Sequence, residues 1–376
     1  MSMFYHSTRG GGDSVTSRQA ILAGIAPDGG LYVSDQLGAS ELGVEGLEAA
    51  GYHDIARRVL ATLLPDFSPD ELDDCVRGAY AQNFDTPLVT PVTSLGDDWL
   101  LELWHGPTCA FKDLALQMLP RLMSRSRAED GRRVMIVTAT SGDTGKAALA
   151  GFAGVEGTGV TVFYPEGKVS DAQRLQMVTQ RGANVAVCGI RGTFDDAQTQ
   201  VKRIFADEGL RGRLEREGVV LSSANSINVG RLAPQVAYYF SAYAQLLARG
   251  AIRKGDELDF VVPTGNFGDV LAGYYAKRLG LPVGRLTVAS NSNRVLFDFL
   301  RTGVYDRRRD FAKTISPSMD ILVSSNLERM LYYLTGGDAE RVAALMSQLR
   351  GEGRYEVTPD ELVRLRSDFD CGWATD

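Results

Sequence analysis

The chain has 376 residues, 44% of them hydrophobic and 23% charged, with a formal net charge of -7; that length buries a large core and divides into two or three domains, and the acidic balance argues against nucleic acid or anionic lipid as the main partner. No apolar run approaches the length of a membrane span, and the N-terminus lacks a charged-then-apolar leader pattern, so the expected location is the cytoplasm. Cys75, Cys109, Cys188 and Cys371, like His6, His53 and His105, are scattered, which suggests neither a zinc site nor a disulfide framework.

Apolar spacing predicts helices over 17–24, 52–64 and 68–80. The last is opened by Ser68, Pro69, Asp70 and Glu71, which supply an N-cap, a proline at the first helical position and acid at the third. Between the first two, Pro27-Asp28-Gly29-Gly30 is a turn into a short strand at residues 31–33. Residues 1–95 therefore read as a mostly helical region with no chemistry of its own.

Chemistry begins in the stretch Trp104 to Gln117, WHGPTCAFKDLALQ. His105, Gly106 and Pro107 make a tight turn, and from Asp113 the residues Leu114, Met118, Leu119 and Leu122 have helical spacing, which puts Lys112 at a helix start. Exposed N–H groups and the positive end of the helix dipole disfavour an ammonium ion there, and burial beside Phe111 lowers its pKa further. A neutral amine can form a Schiff base. Seven lysines against thirty-three arginines make the choice of lysine a mild hint; the plainer alternative is a surface lysine followed by an aspartate that suits the dipole.

From Val134 onward the pattern becomes strand, loop, helix, repeated, as in a parallel sheet covered by helices. Strands are expected at 134–138, 160–164, 184–187, 219–222, 258–262 and 285–289, apolar enough to be buried on both faces. Helices are expected to start near Thr144, Asp171, Phe194, Val229, Phe267 and Arg294, and further helices at 326–334, 339–348 and 359–369. The run Arg307-Arg308-Arg309 reads as a solvated loop.

In a parallel α/β sheet, ligands sit beyond the carboxyl ends of the strands, in the strand-to-helix loops. One such loop is Ser141-Gly142-Asp143-Thr144-Gly145, where two hydroxyls, two glycines and a helix N-terminus make an anion cradle. It is not a Walker loop, because Thr140 stands where the first glycine belongs and Ala147 where the hydroxyl belongs. A second is Gly265-Asn266-Phe267-Gly268-Asp269, again suited to a phosphate at a helix start. In either loop the glycines could serve only a tight turn. In a third segment, Asn225 and Asn228 follow a strand end and Arg231 lies in a first helical turn, where a bound phosphate explains the charge better than solvent does. Two phosphate-type loops with a lysine poised for imine formation suit a cofactor bearing an aldehyde and a phosphate, and pyridoxal phosphate is one.

With these motifs in hand, the chain resembles threonine synthase of the bacterial and fungal type. The resemblance rests on WHGPTCAFKD, TATSGDTGKAAL, SSANSINVGR and PTGNFGD, together with STRG and DGGLYV near the N-terminus and SPSMDI–SSNLER at 316–329, and it covers essentially the whole chain. It implies a fold-type II pyridoxal-phosphate enzyme of the tryptophan synthase β-like kind, with two parallel-type α/β domains and the helical N-terminal region. The expected divisions are 1–95, a small domain over 131–225 and a large cofactor-binding domain over 96–130 and 226–376.

The resemblance further implies conversion of O-phospho-L-homoserine and water into L-threonine and phosphate. Lys112 would carry the cofactor and then shuttle protons. Gly265, Asn266, Phe267, Gly268 and Asp269 would hold its phosphate, with Asp143 also near the cofactor. Ser141, Gly142, Asp143, Thr144, Asn225, Asn228 and Arg231 would bind substrate. It places a serine or threonine hydroxyl against the pyridine nitrogen from a segment beyond Asp376. The expected partner is a small phosphorylated amino acid, with the chain a monomer or homodimer and no nucleic-acid or membrane partner. Two rivals stay open: a related phospho-amino-acid lyase that releases an oxo acid and ammonia, and a non-catalytic cofactor- or metabolite-binding relative.

Overall fold

The structure, a computed structural model, describes residues 3–39, 41–127, 131–140 and 142–376. The chain groups into two compact units. One comprises residues 16–24 and 50–234, the other 1–15, 25–49 and 235–376. By contact, 96–127 falls in one unit with the described residues of 131–225, and the N-terminal region is divided between the units, a different grouping from the expected divisions. The helix Val229–Ala248 runs through the division, with Pro234 inside it.

The first unit is built on four parallel strands in the order Val185–Ile190, Thr158–Pro165, Arg133–Ala139 and Val219–Ser222. Helices connect them, as the right-handed crossover of parallel strands requires. Ser17–Ala23, Tyr52–Leu63 and Pro69–Tyr80 form where apolar spacing placed them. The last opens with a complete capping box, Ser68 accepting from the Glu71 N–H while the Glu71 carboxylate takes the Ser68 N–H. The helix expected from Lys112 is broken in two, Lys112–Leu116 and Leu119–Arg127. Sequence reading missed the hairpin Val92–Leu95 with Asp98–Leu101 and the helix Glu208–Arg216.

The second unit holds three parallel strands in the order Phe369–Trp373, Val283–Ser290, Leu258–Pro263. The helices Gly268–Arg278, Val295–Thr302 and Pro359–Asp368 pack against them. Phe369–Trp373 was not foreseen: the apolar pattern there is too short to separate from the end of the preceding helix. Burial on both faces, expected for all these strands, fails for Leu258–Pro263, an edge strand whose Val261 is 70% exposed. The arginine run also departs from a merely solvated loop: Arg308 chelates Asp306 and Arg309 Nη1 reaches Asp298 at 2.7 Å.

Candidate active site

In the first unit the turn before Lys112 is organised by Asp113. Its carboxylate accepts from the Thr108 backbone N–H at 2.8 Å and from Thr108 Oγ1 at 2.7 Å, folding Gly106-Pro107-Thr108 back over the helix start. Gly106 is required there, because a Cβ would run into the Asp113 side chain. Lys112 follows as the first residue of its short helix, its side chain 12% exposed.

The neighbouring strand-to-helix loop delivers Asp143 to that amine. Thr140 ends the strand region and its Oγ1 accepts from the N–H groups of Gly142 and Gly145, which folds the loop tightly. Gly142 caps the helix Asp143–Phe152 at φ +153°, and a Cβ on it would overlap the Gln173 amide. Asp143 Oδ2 then lies 3.5 Å from Lys112 Nζ, while Oδ1 is 3.3 Å from Lys146 Nζ and accepts from Gln173 Nε2 at 2.9 Å. Thr144 is half-buried in the first turn of the same helix, and Ser141 lies outside the described residues.

The pKa of Lys112 falls to about 8. Burial is the first cause, Asp143 opposes it by attracting the ammonium ion, and the positive charges of Arg231 and Lys146 reinforce it. The direction and the expected contribution of burial both match; the positive charges of Arg231 and Lys146 were not foreseen. Lys146 was missed as a participant. It stands at the fourth position of the helix opened by Asp143, and spacing i to i+3 from an aspartate was a signal that could have found it.

The third segment is partly structural. Asn228 is fully buried and both ends of its amide are engaged, Nδ2 donating to Ile21 O and Ser223 O and Oδ1 accepting from Gly230 N–H, so it shapes the turn. Asn225 is exposed, with its Oδ1 receiving Thr138 Oγ1 at 3.3 Å. Arg231 does not turn to solvent: it is 2% exposed and Nη1 donates to Ala224 O at 2.7 Å. A guanidinium held that deep is a fixed positive charge.

The loop Gly265–Asp269 belongs to the second unit. Phe267 takes the left-handed conformation at φ +63° and precedes the helix Gly268–Arg278. Its buried ring packs on Phe369, centroids 5.4 Å apart. The bend is closed from the other side, since Asn326 N–H donates to Asn266 O at 3.0 Å. Asp269 points away from any anion: its carboxylate takes Tyr238 OH at 2.5 Å and Tyr239 OH at 2.9 Å. Burial pushes its pKa up, and the two phenols partly restrain it. A phosphate at this loop would therefore meet backbone N–H groups and not that side chain.

These residues fit pyridoxal phosphate. A buried lysine with a pKa of about 8 is suited to an aldehyde. At Gly265 a Cβ would come within 3.0 Å of Ser318 O, so glycine lets the Ser318–Met319 backbone close on this loop, while the loop's backbone N–H groups remain the donors a phosphate would meet.

The comparisons with known proteins agree. The family model described as "Pyridoxal-phosphate dependent enzyme" matches residues 83–353, and "Threonine synthase N terminus" matches residues 4–80. Threonine synthase of Pseudomonas aeruginosa is 40% identical over 374 residues, covering 98% of this chain and 76% of that protein. Human threonine synthase-like 1 is 40% identical over 372 residues, but the chain spans only 50% of its length. Among solved structures, the pyridoxal-phosphate-bound threonine synthase of Brucella melitensis superposes with a TM-score of 0.92 at 41% identity, covering 100% of this chain and 79% of that one. The chain belongs to the threonine synthases, fold-type II members of the pyridoxal-phosphate-dependent enzymes.

Proposed function

We propose that the chain converts O-phospho-L-homoserine and water into L-threonine and phosphate. The single observation that carries this beyond family membership is the Lys112 amine, buried at a pKa of about 8 beside Asp143. When bound, pyridoxal phosphate supplies an electron sink for carbanion chemistry at the substrate's α and β carbons. Lys112 is the residue that would hold the cofactor through its aldehyde, and its amine would accept and return protons at substrate carbon. Near pH 7 roughly a tenth of an amine of this pKa is neutral, against fewer than about one in a thousand at the ordinary value of 10.5. Asp143 holds the ammonium form between transfers, which keeps the proton close to where it must be returned.

Each remaining loop takes a role suited to its donors. Gly265, Asn266, Phe267 and Gly268 present backbone N–H groups to the cofactor phosphate, with Asp269 anchoring the loop through Tyr238 and Tyr239. Ser141, Gly142, Thr144 and Asn225 bind the substrate's anionic groups, Asn228 sets the turn, and Arg231 supplies fixed positive charge for a leaving phosphate. The chain works in the cytoplasm as a monomer or homodimer, without nucleic acid or membrane; among the described residues no helix is long and apolar enough to cross a bilayer.

The test is to load the purified chain with pyridoxal phosphate, record the absorbance of the lysine-bound cofactor, add O-phosphohomoserine and measure phosphate and threonine together. Equal amounts of both, with the absorbance and both products lost in Lys112→Ala, support the reading. Phosphate with an oxo acid but no threonine would replace it by a lyase.

A further inference from the structure

The segment Ser324-Ser325-Asn326 clasps the loop Gly265–Asp269. Ser324 Oγ donates to Gly265 O at 2.6 Å, Ser325 Oγ to Asn266 Oδ1 at 3.4 Å, and Asn326 N–H to Asn266 O. Backbone support of a loop does not itself require asparagine at 326, yet its side chain is fully buried. The amide orientation is set by chemistry: Arg329 Nη1 donates to it, and a guanidinium offers only donors, so the oxygen Oδ1 must face Arg329.

That leaves Nδ2, with two N–H groups, buried and without a hydrogen-bond partner among the described residues. An amide nitrogen enclosed without an acceptor is unfavourable and calls for an explanation. The place it faces supplies one. A Cβ built on Gly268 would come within 3.3 Å of Nδ2, and Gly268 is the first residue of the eleven-residue helix Gly268–Arg278, whose leading N–H groups also lack intrahelical acceptors. A group that satisfies both sets of donors is an anion.

We propose that Asn326 Nδ2 donates to a phosphate monoester held at this helix start, the phosphate of the cofactor, and that Arg329 is the positioning residue that fixes the amide. The proposal rests on the assignment of Gly265–Asp269 to the cofactor phosphate. It also accounts for asparagine at this position. An aspartate would turn a negative oxygen toward the anion, and a serine could not reach both Arg329 and the ligand.

The test titrates the apoprotein with pyridoxal phosphate and, separately, with pyridoxal, which has the same aldehyde and no phosphate. The lysine-bound absorbance is followed in wild type, Asn326→Ala and Asn326→Asp. Asn326→Asp keeps the shape and the acceptor for Arg329, so it reports on the donor while preserving the fold, which thermal melting checks. Removing one charge-assisted hydrogen bond should weaken pyridoxal phosphate about ten- to a hundred-fold in Asn326→Ala. The loss should be larger in Asn326→Asp, and pyridoxal binding should be unchanged in both. If wild type prefers pyridoxal phosphate and both variants keep that full preference, the proposal falls while the loop assignment stands. If wild type shows no preference, the loop assignment fails and takes the proposal with it. An unchanged cofactor affinity with a raised KM for O-phosphohomoserine overturns it in favour of the substrate phosphate.

Discussion

Asp143→Asn probes how the Lys112 amine is tuned. The carboxylate lies 3.5 Å from Lys112 Nζ. At an effective dielectric near 20, a full charge at that separation is worth about 5 kcal/mol. This is an upper figure, because Lys146 Nζ draws on the other oxygen at 3.3 Å. A third to a half of it, about 1.5–2.5 kcal/mol, lowers the pKa of Lys112 by roughly one to two pH units. The sign follows from charge: without its anionic neighbour the ammonium ion faces burial and the positive charges of Arg231 and Lys146 unopposed. Asparagine keeps the shape, so Gln173 can still be bonded. The assay is the pH dependence of apoprotein modification by an amine-reactive sulfonate, with peptide mass mapping to separate Lys112 from Lys146. The midpoint at Lys112 should move from about 8 toward acid. A midpoint that stays put or moves toward alkali would show that Asp143 does not hold the amine in its protonated form.

Three further outcomes are expected. Gly151→Ala places a Cβ against the Leu116 carbonyl where the helix Asp143–Phe152 crosses Lys112–Leu116, and should destabilise by about 1–3 kcal/mol in urea unfolding while shifting the Lys112 midpoint. His105 bridges Glu102 at 2.7 Å and Asp85 at 2.6 Å; the Glu102 hydrogen bond comes first among the effects that raise its pKa. A raised folded-state value makes its contribution to stability full below the unfolded pKa and lost as pH rises through the folded one. The stability difference between wild type and His105→Gln should therefore be largest below the ordinary imidazole range and shrink as pH rises through and above it. Tyr239→Phe takes one of two phenol donors from Asp269 and should destabilise by about 1–3 kcal/mol near neutral pH. Because burial already raises this carboxyl's pKa, the loss should grow as pH climbs above the carboxylate range, measurable from urea midpoints at a series of pH values.

Elements with long apolar periodicity were legible in the sequence. Val219–Ser222 is a strand over the residues that apolar character marked, and Pro69–Tyr80 begins where Ser68 and Glu71 said it would. What escaped depends on contacts between segments far apart in sequence. The three-stranded sheet needs Phe369–Trp373 beside Val283–Ser290, a pairing no local pattern announces. Gly151 sits in the last turn of its helix, where a glycine calls for no special explanation, and only the crossing at Leu116 shows why a side chain has no room. Chemistry was legible as far as residue type. Lys112 was found because it stands at a helix start beside Phe111, and burial, the first cause of its low pKa, was expected there; the smaller contributions of Arg231 and Lys146 were not, since no spacing ties those residues to Lys112.

The two aspartates of the glycine loops show where motif reading ends. Asp143 and Asp269 each follow a glycine at a strand-to-helix turn, and each stands in the first turn of its helix, where the dipole favours an acid. In the sequence they look alike, and both read as ligand-facing, Asp269 toward the cofactor phosphate and Asp143 toward cofactor and substrate. Their neighbours separate them. Asp143 is met by two ammonium groups and an amide, so it works as a counter-ion whose charge sets the state of a reactive lysine. Asp269 is met by the two phenols of Tyr238 and Tyr239, uncharged donors from the helix Val229–Ala248, so it works as an anchor that keeps its loop fixed while its own charge is disfavoured. If this loop receives the cofactor phosphate, as proposed, it gains from this arrangement, because an aspartate turned toward the ligand would repel it. On the proposed reading the same residue type would tune a proton in one loop and keep clear of an anion in the other, and the donor it faces decides which.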